Sequence, residues 1–233
     1  MAFGFVCAIP IFFGWGAYEV LIVFSSYTGA VNSAAFVVGM QLDYFAYSCA
    51  YGIQIATVAL IGFEIGAGNI EEAKRIAKYL LLHILIISFG VAFLIWIFDK
   101  TIISAFTPNS EIHNAFLTAI PTIILLIFND TFIAIVYGVN KALAKQADLL
   151  LTVFVPIVLI AVPLAYVLCF YTTMSISGLY LGLAVGVCIS NIWNAYLVWG
   201  KYDWGEISKK IEEQAIESKL KEEGQEKETL ITS

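Results

Sequence analysis

Six long apolar segments alternate with short polar stretches along the chain. They run from about 4 to 25, 34 to 62, 77 to 98, 114 to 139, 147 to 170 and 176 to 199. Each reaches the roughly 20 apolar residues that a transmembrane helix needs. The segments are continuously apolar, whereas the strands of a membrane barrel alternate in polarity. The pattern therefore predicts an all-α membrane protein whose six transmembrane helices form one bundle.

Composition and charge distribution support this prediction. Hydrophobic residues make up 61% of the chain and charged residues 13%, against about 25% charged in a typical soluble domain. Half of the charged residues lie in 201–233, and 149–200 contains none. These features exclude a soluble or peripheral protein. They predict a six-helix transmembrane domain over 1–200 and a charged cytoplasmic tail over 201–233.

The basic residues predict the orientation in the membrane, because short cytoplasmic loops collect Lys and Arg. The joins after the second and fourth segments, together with the tail, carry every basic residue except Lys100. We therefore expect a multi-pass protein with both termini in the cytoplasm. The pattern leaves open whether it lies in the plasma membrane or in a vacuolar or vesicle membrane.

The sequence offers little for catalysis, metals or nucleic acid. The net charge of −6 comes mainly from the tail and does not indicate a nucleic-acid partner. The four cysteines and two histidines have no metal-ligand spacing, and no nucleophile elbow or phosphate loop is present. We expect membrane lipid around the chain, no metal, no cofactor and no enzymatic activity.

Acidic residues within the apolar segments are the strongest candidates for function. Such residues are costly in hydrocarbon and often mark proton or cation pathways. Glu19 and Asp130 are the main candidates, and a purely structural role as protonated, hydrogen-bonded acids stays open for both. Asp43 is expected near a membrane interface, and Asp148 is expected close to the cytoplasmic Lys145 and its neighbours, so both are set aside.

Two local patterns concern the cytoplasmic side. Asn69 with Glu72 has the spacing of a capping box and predicts a helix start. Residues 204–223 show helical periodicity with favourable charge pairs and predict a solvated helix.

Several motifs resemble those of the multidrug and toxic compound extrusion (MATE) family. The resemblance covers about residues 10 to 200 and is to the C-terminal half of eukaryotic members. It rests on Trp15-Gly16-Ala17-Tyr18-Glu19-Val20, Phe63-Glu64-Ile65-Gly66-Ala67-Gly68-Asn69, Ala105-Phe106-Thr107, Gly138-Val139-Asn140 and Gly178-Leu179-Tyr180.

The resemblance implies a fold and a set of coupling residues. Family members have two lobes of six helices, so this chain corresponds to the second lobe. The family's proton-binding acids in the seventh and tenth helices fall on Glu19 and Asp130. The chain departs from the family pattern at Gly14, Leu60 and Phe63, and a different substrate range is therefore expected.

The leading hypothesis is a secondary antiporter that exports organic cations or other xenobiotics and metabolites in exchange for H+, with Na+ as the other candidate ion. Trp15, Tyr18, Asn129 and Tyr137 are candidates for the substrate cavity wall. The alternative is a truncated or split, non-transporting membrane protein that needs a partner lobe. A homodimer that rebuilds the two-lobed cavity is a further arrangement. A six-helix channel has less support, because no ring of charges or filter segment is apparent.

Overall fold

The chain folds into long helices connected by short turns. In the computed structural model, the backbone of residues 2–213 and the side chains of residue 9 and residues 12–213 are described. The helices are α1 (Ala2–Ser26), α2 (Ala30–Gly66), α3 (Ile70–Phe106), α4 (Ser110–Ala142), α5 (Gln146–Phe170), α6 (Ile176–Lys201) and a short α7 (204–213).

Helices α2 to α6 are each long and apolar enough to cross a membrane. Helix α1 has 25 residues, and its fully described apolar part, Phe12–Ser26, is shorter than a span. The protein is thus a multi-pass integral membrane protein. Each of the six apolar segments lies within one of these helices, but α2 and α3 reach 37 residues. At 1.5 Å per residue, each of these helices is about 55 Å long. Both helices therefore extend beyond the roughly 30 Å hydrocarbon layer.

Helices α2 and α4 cross closely at two glycines. A Cβ at Gly39 would lie 2.9 Å from Ile123 Cδ1, and a Cβ at Gly138 would lie 2.9 Å from Thr57 Cβ. These contacts pair the early part of α2 with the middle of α4 and the later part of α2 with the end of α4. The two helices therefore run parallel, in the same chain direction, through the centre of the bundle.

Helices α5 and α6 meet along a stripe of small residues. A Cβ added at Gly178, Gly182 or Gly186 would lie 2.6, 2.4 or 2.4 Å from atoms of α5. Small residues at four-residue spacing allow membrane helices to approach closely. Opposite Gly186, the middle of α5 widens into a π-helix over Phe154–Ala161, which contains Pro156, a residue that lacks the N–H needed for a regular helical bond.

The α2–α3 turn differs in detail from the predicted capping box. Asn69 stands at the N-cap position, but its side chain makes no capping bond. It donates instead to Glu64 Oε2 at 2.9 Å. The prediction of a side-chain cap is therefore wrong, because the amide is engaged with the end of the preceding helix.

Helix α7 packs on the bundle. The indole of Trp204 donates to the Val198 carbonyl at 2.9 Å, and the Ser208 hydroxyl donates to the Ile65 carbonyl at 2.7 Å. Trp204, Ile207 and Ser208 are buried. The prediction of a solvated helix is thus wrong for its first turns, because these residues cover the C-terminal ends of α2 and α6. The expected continuation to residue 223 lies outside the described residues.

Candidate functional site

Two carboxyl groups lie inside the bundle where α2 and α4 pack together. Asp43 of α2 is 1% exposed and Asp130 of α4 is 9% exposed. We call these two residues the buried acid pair. Asp43 is buried among the helices, and its depth in the membrane stays a prediction.

The two acids have different hydrogen-bond partners. The Tyr18 hydroxyl of α1 donates to Asp130 Oδ1 at 3.0 Å. Both carboxylate oxygens of Asp43 are buried and have no hydrogen-bond partner among the described atoms. Asp43 and Asp130 also interact electrostatically. Two neighbouring carboxylates in a low-dielectric interior are costly when both are ionised, so the pair favours the uptake of a positive charge.

Aromatic rings separate this pair from the surface of the lobe. The Trp15 ring lies 5.2 Å from that of Tyr44 and 6.3 Å from that of Tyr47, measured between centroids. Tyr18 and Tyr51 extend this group at its two ends. We call these five residues the aromatic face. Trp15 and Tyr51 are each 45% exposed, so part of the face is open at the surface of this lobe.

Glu19 lies beside the aromatic face and not within the bundle. It is exposed and interacts electrostatically with Tyr44, which also interacts with both members of the buried acid pair. Tyr44 is therefore near both the exposed acid and the buried ones, and its hydroxyl has no hydrogen-bond partner among the described atoms. The structure thus brings Tyr18 and Asp130 into direct contact and places Glu19 farther out on α1.

The other two cavity candidates face helix α6. Asn129 donates to the Leu125 carbonyl of its own helix, and its carbonyl accepts from the Asn191 amide at 2.9 Å. The Tyr137 hydroxyl lies 3.2 Å from the Ser190 hydroxyl. Among the described residues, the Tyr137 ring makes no aromatic contact with Trp15. Tyr137 does interact electrostatically with Tyr47.

A buried polar network continues from Tyr137 towards the end of α4 and the start of α5. Ser190 donates to the Thr152 carbonyl at 2.6 Å, and Asn194 Oδ1 accepts from Thr152 at 3.0 Å and from Asn140 at 3.3 Å. Sequence reasoning missed this network. The available signal was the spacing of Ser190 and Asn194, which places two polar side chains on one face of an otherwise apolar helix.

Asp148 belongs to a separate cluster at the start of α5. Tyr202 donates to Asp148 Oδ2 at 2.7 Å, and the Lys145 ammonium lies 5.3 Å from the centre of the Tyr202 ring. Partial burial, followed by the bond to Asp148, raises the pKa of Tyr202 above its usual value. This cluster joins the start of α5 to the segment after α6 and lies apart from the aromatic face. Within residues 2–213, no group of three His, Cys, Asp or Glu side chains is arranged to hold a metal ion.

Comparison with known proteins identifies the family. The family model described as MatE matches residues 7–167. This chain belongs to the MatE family.

Named relatives of this MatE chain come from bacteria and animals. It is 25% identical over 187 residues to the probable multidrug resistance protein NorM of Bacillus cereus, covering 79% of this chain and 41% of that protein. It is 24% identical over 203 residues to multidrug and toxin extrusion protein 1 of Xenopus tropicalis, covering 87% of this chain and 35% of that protein. This chain spans less than half the length of these relatives.

Solved structures show the same fold. The eukaryotic MATE transporter AtDTX14 superposes with a TM-score of 0.85 at 20% identity, covering 91% of this chain and 48% of that one. A MATE protein in complex with MaD3S superposes with a TM-score of 0.76 at 16% identity, covering 85% and 45%. The chain therefore has the fold of a six-helix MATE lobe.

Proposed function

We propose that this chain is one lobe of a secondary antiporter that exports organic cations or related xenobiotics in exchange for H+. The observation that carries the proposal is the bond between Tyr18 and Asp130. It links a residue of the half-exposed aromatic face directly to a buried carboxyl group. A change in the charge of Asp130 therefore acts on the wall where a substrate would lie.

The aromatic face suits a flat or quaternary organic cation. Aromatic rings attract cations through their π-electrons, with a stabilisation of about 0.5 to 2 kcal/mol for each favourable contact. Glu19 adds a negative charge at the edge of the same face. Relatives named as multidrug resistance and toxin extrusion proteins support this class of substrate.

Coupling follows from competition between two positive charges. When the acids are ionised, the face and Glu19 attract the organic cation. When the acids are protonated, this attraction weakens and the cation is released. Alternating access then requires two states with different affinities for the proton and for the substrate. Transporters of this general kind move one helical bundle against another around such a site.

A transport assay tests the proposal. The purified chain is reconstituted into lipid vesicles, and the uptake of radiolabelled tetraethylammonium is measured with an imposed pH gradient. We expect gradient-driven uptake that falls to background in Glu19→Gln and Asp130→Asn. The exposed cytoplasmic variant Glu71→Gln is the matched control and should retain uptake. Normal uptake in Glu19→Gln and Asp130→Asn would overturn the assigned roles.

The second candidate function is that of a half-transporter, which works only together with a partner lobe. The half-exposed rings of Trp15 and Tyr51 have no covering surface among the described residues, and a cavity needs two walls. Uptake that requires co-reconstitution with a second MatE lobe would identify the chain as half of a split transporter. Uptake by the chain alone would favour a homodimer. We also propose that both termini lie in the cytoplasm.

A further inference from the structure

Asp43 is buried without a hydrogen-bond partner among the described atoms, and the roles proposed for Glu19 and Asp130 do not account for this. It is 1% exposed, and neither carboxylate oxygen has a hydrogen-bond partner among the described atoms. An ionised carboxylate in this position would lose its hydration without compensation, which is among the most costly arrangements in a protein interior. A neutral carboxyl group avoids most of this cost.

No cation within the described bundle neutralises Asp43. Helices α1 and α2 contain no Lys, Arg or His. The basic residues of α4, His113 and Lys141, stand near its two ends, and Lys141 is 11 residues from Asp130, which is about 16 Å along the helix. In α3, His83 is exposed and bonds to the Tyr79 carbonyl. The remaining basic residues of α3 and α6 lie towards helix ends.

The titratable groups that face Asp43 are therefore acids and phenols. They come from four helices and comprise Tyr18 of α1, Tyr44 and Tyr47 of α2, Asp130 of α4, and Tyr180 of α6. Tyr180 donates its proton to the Phe36 carbonyl, and Tyr18 donates to Asp130. Neither hydroxyl proton is thus directed at Asp43.

The two acids are not equivalent in this arrangement. Asp130 accepts a hydrogen bond from Tyr18, and hydrogen bonding to a carboxylate favours its charged form. Asp43 lacks any such donor and lies beside the charge of Asp130. A single proton held between them therefore resides on Asp43.

We propose that Asp43 is a proton-binding residue of this lobe, which carries the proton while Asp130 is ionised and bonded to Tyr18. The role of this proton in transport rests on the proposed function, but its presence on Asp43 does not. Tyr44, whose hydroxyl is buried and unpartnered among the described atoms, interacts electrostatically with both Asp43 and the exposed Glu19. It offers a route by which the proton reaches the aromatic face.

Carbodiimide labelling tests this assignment without a transport measurement. Dicyclohexylcarbodiimide enters apolar regions and reacts with protonated carboxyl groups, leaving a stable adduct that peptide mass spectrometry locates. The purified chain in detergent at neutral pH should carry the adduct on Asp43 and not on Asp130. Asp43→Asn should lose it, and Glu71→Gln should retain it. Labelling of Asp130 alone, or of both residues in one molecule, would overturn the proposal.

Tyr18→Phe provides a second measurement that does not require changing either acid. Among the described atoms, this variant removes the one side-chain hydrogen bond that distinguishes Asp130 from Asp43. We expect the adduct on Asp130 to increase by more than about tenfold, the ratio expected for a lost hydrogen bond to a charged group. An unchanged distribution would contradict the assigned asymmetry. Protection by Na+ at constant pH would show that the metal ion, and not the proton, occupies the pair.

The outcomes separate this inference from the proposed function. An adduct on Asp43 in a chain that does not transport, alone or with a second MatE lobe, would leave the proton site standing and overturn the antiporter. Proton-driven uptake without an adduct on Asp43 would support the antiporter and overturn the proton site at Asp43.

Discussion

The contact between α5 and α6 provides a quantitative test of how the lobe holds together. A Cβ at Gly182 would lie 2.4 Å from Ala165 Cα and 2.5 Å from Ala165 N. Both are backbone atoms, so no side-chain rotation relieves the clash. Restoring an ordinary contact requires the helices to separate by about 1 Å, and overpacking of this kind costs about 1 to 3 kcal/mol. Since helix association in lipid depends on close packing, we expect Gly182→Ala to destabilise the lobe.

The assay is thermal unfolding of the purified chain in detergent. For a chain of this size, 1 kcal/mol corresponds to a shift of about 2 to 4 °C in the midpoint, so Gly182→Ala should lower it by about 2 to 12 °C. Gly90→Ala in α3 is the matched control, because a Cβ at Gly90 has no atom within 4 Å, and alanine favours the helix by up to about 1 kcal/mol. An unchanged or higher midpoint for Gly182→Ala would refute the close packing of α5 and α6.

Three further predictions concern the polar contacts. Asn194→Leu should lower the free energy of unfolding by about 1 to 3 kcal/mol, because it leaves Thr152 and Asn140 without their shared acceptor. An unchanged thermal midpoint would contradict the network. Ser208→Ala should increase protease cleavage near α7, because its bond to Ile65 is lost, whereas the exposed variant Lys209→Ala should not. The raised pKa of Tyr202 means that the folded state retains the phenolic proton more tightly than the unfolded state, so this contribution to stability is present below about pH 10 and decreases as the pH rises above it. Ultraviolet titration of the wild type and Tyr202→Phe should therefore show the same number of tyrosines that ionise near the ordinary value, and one more such tyrosine in the wild type would contradict the raised pKa of Tyr202.

The helices and the family were accessible from the sequence, since both depend on local information. Apolar length identifies a segment that crosses the membrane, and motifs such as Trp15–Val20 or Phe63–Asn69 lie within single stretches of chain. The all-α fold and the resemblance to MATE proteins are confirmed by the structure and the family comparison. The boundaries of α2 and α3 were less accessible, because hydrogen bonding continues the helix beyond the last apolar residue.

The composition of the site was only partly accessible. An acid in an apolar segment is visible in the sequence, but the neighbour that it faces depends on how the helices pair. The parallel packing of α2 and α4 at Gly39 and Gly138 places Asp43 against Asp130, and no local pattern encodes this. The roles of Glu19 and Asp130 in ion binding remain predictions.

Exchange of the two cations across one membrane tests the central claim most directly. Vesicles that contain the reconstituted chain and a pH-sensitive dye in the lumen are loaded with tetraethylammonium and diluted into medium without it at equal pH. The account predicts that outward flow of the organic cation drives protons inward and acidifies the lumen, and that Asp130→Asn abolishes the acidification. Outward flow of tetraethylammonium without any change in luminal pH would contradict proton antiport.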